Sequence, residues 1–209
     1  TITVSDEFGW PLSLSEIDDS LVWRKYPDNK YGDNDYLRVG RSEDNPMRIF
    51  LKFDLRGVSL PEGSKFAGGT LLLRTSPGWH EANVRCYRVD NDNWSENTIT
   101  WGNMPQEGEP ISGSVEVTGG DNWYEWAISE YLLEQFENDK IVSLCLIDAE
   151  ENSPPDHLAT FYTHRDWPGY LPRLVVEISL ENGENAQVDI LVTVPSGLTE
   201  KMVNWITLK

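Results

Sequence analysis

Residues 90 to 105 read DNDNWSENTITWGNMP, with two tryptophans, Trp94 and Trp101, seven positions apart around a Thr-Ile-Thr core and with Asn, Asp and Gly at the two ends. Aromatic and β-branched side chains suit a pleated, half-buried surface, whereas Asn, Asp and Gly suit turns. The stretch therefore predicts a strand over 97 to 101 that enters and leaves an all-β core. It carries no enzyme chemistry of its own.

Working outward, similar runs recur at short intervals: LVWRKY (21 to 26), YLRVG (36 to 40), RIFLKFDL (48 to 55), TLLLR (70 to 74), NVRCYRV (83 to 89), SVEVT (114 to 118), IVSLCLI (141 to 147), ATFYT (159 to 163) and RLVVEISL (173 to 180). Turn residues such as Asp33-Asn34, Asn45-Pro46 and Pro77-Gly78 separate them. Many short strands at this spacing predict an all-β fold, a jelly-roll β-sandwich of two antiparallel sheets. In RIFLKFDL, Ile49, Leu51, Phe53 and Leu55 alternate onto one face, which is predicted as core. One short helix is expected where Tyr131, Leu132, Gln135 and Phe136 follow helical spacing, with Ser129 as its cap. The predicted jelly-roll domain spans 1 to 180. The polar break ENGENAQ opens a tail or linker, 181 to 209, with an extra strand and a short helix expected in it.

With 209 residues and 39% apolar content, the chain can bury one sizeable core. It has no run of eighteen apolar residues, so membrane insertion is not expected. The first residues, TITVSDEFGW, lack the pattern of a signal peptide, as a processed or excised segment also would. A formal charge of −18 argues against nucleic acid as a partner, because long-range repulsion opposes approach. That charge is uneven. No Lys or Arg falls between Arg88 and Lys140, while Arg24, Lys25, Lys30, Arg38 and Arg41 face only Asp28, Asp33 and Asp35 over 24 to 41. Cys86 and Cys145 each sit in an apolar run and read as buried free thiols, with a disulfide as the alternative.

His80, His157 and His164 form no HExxH motif, and neither CxxC nor Gly-x-Ser-x-Gly occurs. Calcium is the candidate cofactor, as a structural ion. DNDN at 90 to 93, Asp33-Asn34-Asp35 and Asp148 with Glu150 and Glu151 cluster hard oxygen ligands, and Asp90 and Asp92 are the named metal candidates. Nine tryptophans and eight tyrosines point elsewhere, since aromatic faces stack on sugar rings. Candidates in turns or beside cations are Trp23 and Tyr26 near Lys25, Tyr31 near Lys30, Trp79-His80, and Tyr162 near His164 and Arg165.

Read in order, YPDNKYGDNDYLRVG, RIFLKFDL, PEGSKFAGGTLLLR, VRCYRVDNDNWSENTITWGNMP, FYTHRD and PRLVVEISL resemble the DNRLRE or disaggregatase-related domain, a jelly roll like carbohydrate-binding module family 96. The resemblance covers about residues 15 to 180. It implies a non-catalytic, extracellular module of a cell-surface protein or a polysaccharide-degrading enzyme, with neighbouring modules and acidic, uronate-containing polysaccharide as ligand. Family-like contacts would fall on Lys25, Lys30, Arg38, Tyr162 and Arg165. A calcium-bridged structural or adhesion domain is the alternative. An enzyme would need Tyr162, His164 and Arg165 to converge, although alternation sets Tyr162 and His164 on one face and Arg165 on the other.

Overall fold

A computed structural model describes residues 17 to 208, apart from 57, 59, 61, 79, 80, 167 to 169, 180 to 184 and 191 to 205. The expectations for Trp79-His80 and for a helix in the tail lie outside the described residues. Twelve strands and one helix are described in the order β1 (Ile17–Trp23), β2 (Leu37–Ser42), β3 (Asn45–Asp54), β4 (Lys65–Arg74), β5 (Ala82–Arg88), β6 (Val115–Val117), β7 (Trp123–Ala127), α1 (Ser129–Glu137), β8 (Ile141–Asp148), β9 (His157–Phe161), β10 (Arg173–Ser179), β11 (Asn185–Ile190) and β12 (Ile206–Leu208). A seven-stranded sheet runs β6-β5-β8-β3-β2-β9, with β1 also paired to β3. A five-stranded sheet runs β12-β11-β10-β4-β7. Every described pairing between these strands is antiparallel, giving the two-sheet sandwich that the periodicity predicts.

The main core lies between the sheets, where Ile49, Leu51, Phe53 and Leu55 meet Leu71, Leu73, Trp126, Leu174 and Val176. Trp126 is fully buried, and its indole N–H donates to the Val84 carbonyl at 2.9 Å, satisfying the one polar atom that burial would otherwise strand. Cys86 belongs to this core, whereas Cys145 lies in a second cluster. Cys86 pairs with Leu146 across β5 and β8, so pleating turns the neighbouring Cys145 to the opposite face and both thiols stay free.

That second cluster overturns the strand predicted over 97 to 101. Val22, Phe50, Cys145 and Ile147 present apolar surface on the outer side of the seven-stranded sheet, and Val89, Trp94 and Ile99 cover it. The covering segment is a string of turns. The amides of Thr98 and Ile99 donate to the Ser95 carbonyl at 3.0 and 2.9 Å, the Asn103 side chain accepts from Thr100 N–H at 2.7 Å, and its amide donates to Thr98 O at 3.0 Å. Local side-chain bonds of this kind replace a ladder, which is why a β-branched run flanked by Asn and Ser need not become a strand. Three further corrections are smaller. The first predicted strand stops at Trp23, the ninth stops at Phe161, and WYEWA, not predicted, forms β7 against β4.

The helix occurs where expected, with Tyr131, Leu132 and Gln135 buried. Ser129 does not cap it. Its hydroxyl accepts the Gly69 N–H of β4 at 2.9 Å, tying the helix start to the sheet. A side chain at position 69 would overlap Leu132, so this glycine lets the helix lie close against β4. Ser129→Ala should therefore lower stability by about 1 kcal/mol through a lost sheet contact. Chemical denaturation should show it as a lower midpoint with unchanged slope.

Candidate functional site

Loop residues 24 to 36 connect β1 to β2 and carry most of the basic segment. Trp23 and Tyr26 meet edge to face at 4.9 Å, and the Lys25 ammonium lies 5.6 Å from the Trp23 ring and 5.3 Å from the Tyr26 ring while pairing with Glu43. The Tyr31 hydroxyl has a raised pKa, chiefly from burial, with Tyr26 and Tyr36 as electrostatic neighbours. The Arg38 guanidinium then stacks 4.1 Å from the Tyr36 ring. Trp23, Tyr26, Tyr31 and Tyr36 thus lie along one loop, with Lys25 beside the first two rings and Arg38 against the last.

A second aromatic cluster involves the other sheet. Pairing of Leu37 with Phe161 and Arg38 with Thr160 sets Tyr36 and Tyr162 at the same end of the β2–β9 ladder. Tyr162 stacks on Tyr170 at 4.8 Å, the Arg74 guanidinium lies 4.2 Å from the Tyr170 ring, and Arg74 and Arg173 approach Trp123 at 6.0 and 4.5 Å. Arg74 pairs across strands with Trp123, and Arg173 pairs with Leu72. Since Leu71 and Leu73 point into the core, Leu72, Arg74 and Trp123 face outward.

The predicted binding residues differ in what occupies their charges. Lys30 is exposed, and neither it nor Arg38 forms an ion pair with the described residues. Lys25 is shared with Glu43, and Arg165 is engaged by protein acceptors. Its guanidinium donates to Glu96 Oε1 at 2.5 Å and to the Gly32 carbonyl at 3.2 Å, and lies 3.5 Å from Asp33. The structure therefore places Lys25 and Lys30 on the loop and Arg38 against Tyr36 at the start of β2, sets Tyr162 with Tyr170 and Arg74, and uses Arg165 to brace the loop at Gly32. Gly32 is required for that brace, because a side chain there would overlap the Glu96 carbonyl. Gly102 N–H donates to the Pro27 carbonyl at 2.8 Å, so the 90 to 105 segment also props this loop.

The proposed alternation of Tyr162, His164 and Arg165 does not hold, because β9 ends at Phe161 and residues 164 to 166 turn. His164 is buried beside Asp19 and Glu96, while Tyr162 stacks on Tyr170. Burial would lower the His164 pKa, but the Asp19 and Glu96 carboxylates outweigh it and hold the pKa raised. Glu96 is itself raised, chiefly by burial. Asp90 pairs with Arg88 at 2.6 Å. Asp92 lies beside Ser143 and Asp139, and burial holds its pKa up. Sequence reasoning missed Tyr36 as the partner of Arg38, and Arg74, Trp123, Tyr170 and Arg173 as one outward cluster. Arg74 at the outward end of TLLLR was the available signal, but only sheet pairing sets it beside Trp123.

The model of carbohydrate-binding module family 96 matches residues 11–166, well over half of the chain. The chain belongs to that family. The module is also 29% identical over 148 residues to a gellan lyase from Bacillus sp, covering 70% of this chain and 6% of that enzyme. It is thus similar to a small piece of a much longer protein. Among the described residues of the module, no helix is long and apolar enough to cross a membrane.

Proposed function

We propose that this carbohydrate-binding module holds acidic, uronate-containing polysaccharide, without catalysis, as an extracellular part of a larger cell-surface or polysaccharide-degrading protein. The observation that carries this reading is that Lys30 and Arg38, on and beside a loop bearing Trp23, Tyr26, Tyr31 and Tyr36, are free of acid partners among the described residues. In a chain of net charge −18, cations left unpaired beside stacked rings suit a ligand that brings its own carboxylates. Sugar rings would lie on the tyrosine faces, and each uronate carboxylate would accept charge-assisted hydrogen bonds from Lys30, Arg38 or Lys25. Similarity to one segment of a gellan lyase supports a role beside a catalytic unit.

Exposed charge pairs contribute little singly and are screened by salt. Isothermal titration with polygalacturonate should show binding at low ionic strength that weakens about tenfold or more between 20 mM and 500 mM salt. A neutral glucan should bind weakly and without that salt dependence. Equal heats for the two polymers, or none for any polyuronate, would remove this reading.

A further inference from the structure

We propose that Asp19, Glu96 and His164 form a site for one divalent transition-metal ion, of zinc or manganese type. One ligand atom from each residue lies within 4.8 Å of the other two, the one such group of three or more metal-binding side chains among the described residues. Atoms held about 2.0–2.2 Å from a shared ion are at most roughly 4.4 Å apart, so small side-chain rotations close the set.

Unsatisfied buried atoms point to the ion independently of this clustering. Glu96 and His164 are only 9% and 8% exposed, yet Glu96 Oε2 and His164 Nδ1 have no hydrogen-bond partner. They lie 3.6 Å apart. Asp19 Oδ1 is 2.9 Å from the same nitrogen and is its charge partner when the ring is protonated. Glu96 Oε2 is a buried acceptor without a donor, which is costly and rare in native proteins.

The remaining oxygens are already engaged in ways that aim the free ones inward. Asp19 Oδ2 accepts the His164 backbone N–H at 2.6 Å, and Glu96 Oε1 accepts from Arg165 at 2.5 Å. Outer partners of this kind commonly fix the orientation of metal ligands. Once His164 gives up its proton to act as a ligand, two carboxylates face one guanidinium and leave one negative charge in a nearly closed site, which a divalent ion offsets. One imidazole and two carboxylates give three protein ligands with room for water, whereas calcium takes six to eight oxygens. The site is separate from the Asp90 and Asp92 turn. It would tie β1, the 90 to 105 segment and the turn after β9 together behind the basic loop.

The test uses the full chain stripped with EDTA and repurified. Adding Zn²⁺ to a free concentration about a hundredfold above its Kd should raise Tm by roughly 5–10 °C for a chain of this size. Glu96→Gln and His164→Gln should each lose most of that rise, and Asp90→Ala with Asp92→Ala should keep it. A second measurement needs no variant: one equivalent of Co²⁺ should give visible absorption bands that Zn²⁺ abolishes. Absence of both the Tm rise and the Co²⁺ bands overturns the proposal, as does an undiminished rise in the double variant Glu96→Gln, His164→Gln.

Discussion

Replacing Trp94 with alanine is expected to destabilise the protein by about 3–5 kcal/mol, seen in a thermal melt as a Tm lower by roughly 6–20 °C. Trp94 is 7% exposed and meets Phe50 edge to face at 5.8 Å, with the Lys52 ammonium 4.9 Å from its ring. Lys52 also donates to the Trp94 carbonyl and pairs with Asp18 at 2.7 Å, so backbone and ring are held from one side chain of β3. Two turns further along, Arg48 lies 5.3 Å from the Trp101 ring and pairs with Glu107 at 3.0 Å and Glu151 at 2.8 Å. Removing the indole opens a cavity between the 90 to 105 segment and the sheet and exposes Phe50 and Ile147 to water. Trp94→Phe should recover more than half of the loss, because it keeps a ring against Phe50. Trp101→Ala, at a half-buried position, should cost less. Because Gly102 supports Pro27, Trp94→Ala should also weaken polyuronate binding without touching a proposed contact residue.

Lys30→Ala combined with Arg38→Ala should weaken polyuronate binding by about thirtyfold or more at low salt, corresponding to about 2–3 kcal/mol. Arg38 should account for the larger share, since its guanidinium is half-buried against Tyr36 and therefore pre-positioned at less cost in side-chain entropy. Lys25→Ala should act less, because Glu43 already neutralises that ammonium. Titration calorimetry with polygalacturonate, beside a melt showing that the double variant retains its Tm, separates binding from folding. Affinity equal to that of the unsubstituted chain would place the ligand elsewhere on the module.

The strand pattern was largely legible. RIFLKFDL buries the four residues that its alternation assigns to the core, and the helical spacing of Tyr131, Leu132 and Gln135 matches the face that packs on β4. Both are local periodicities, which the sequence displays directly. The other face of RIFLKFDL was not legible. Phe50 is as fully buried as Ile49, because a segment forty residues later folds over it.

The site divides in the same way. Charge counting over residues 24 to 41 marked Arg24, Lys25, Lys30, Arg38 and Arg41, and the family resemblance narrowed the proposed contacts to Lys25, Lys30, Arg38, Tyr162 and Arg165. Whether a cation is available depends on what folds against it. The resemblance implies a ligand contact at Arg165, in the Tyr-x-x-Arg segment, yet Glu96, sixty-nine residues earlier, takes its guanidinium. Asp19, Glu96 and His164 carry no spacing motif at all, and three different elements bring them together.

The sequence by itself determined that this protein is an all-β sandwich with a short helix at 129 to 137, strongly acidic overall and locally basic over residues 24 to 41. Those properties follow from side-chain period and charge order, which need no partner in space. Tertiary structure alone decided that DNDNWSENTITWGNMP is a cover over the outer face of a sheet and not a strand within one. Its Thr-Ile-Thr run has strand propensity, but Ser95 and Asn103 satisfy its backbone locally, and the apolar surface of Phe50, Cys145 and Ile147 offers Trp94 and Ile99 a place to bury. Hydrophobic burial has no fixed direction, so which surface a tryptophan covers is settled only when the sheets have formed.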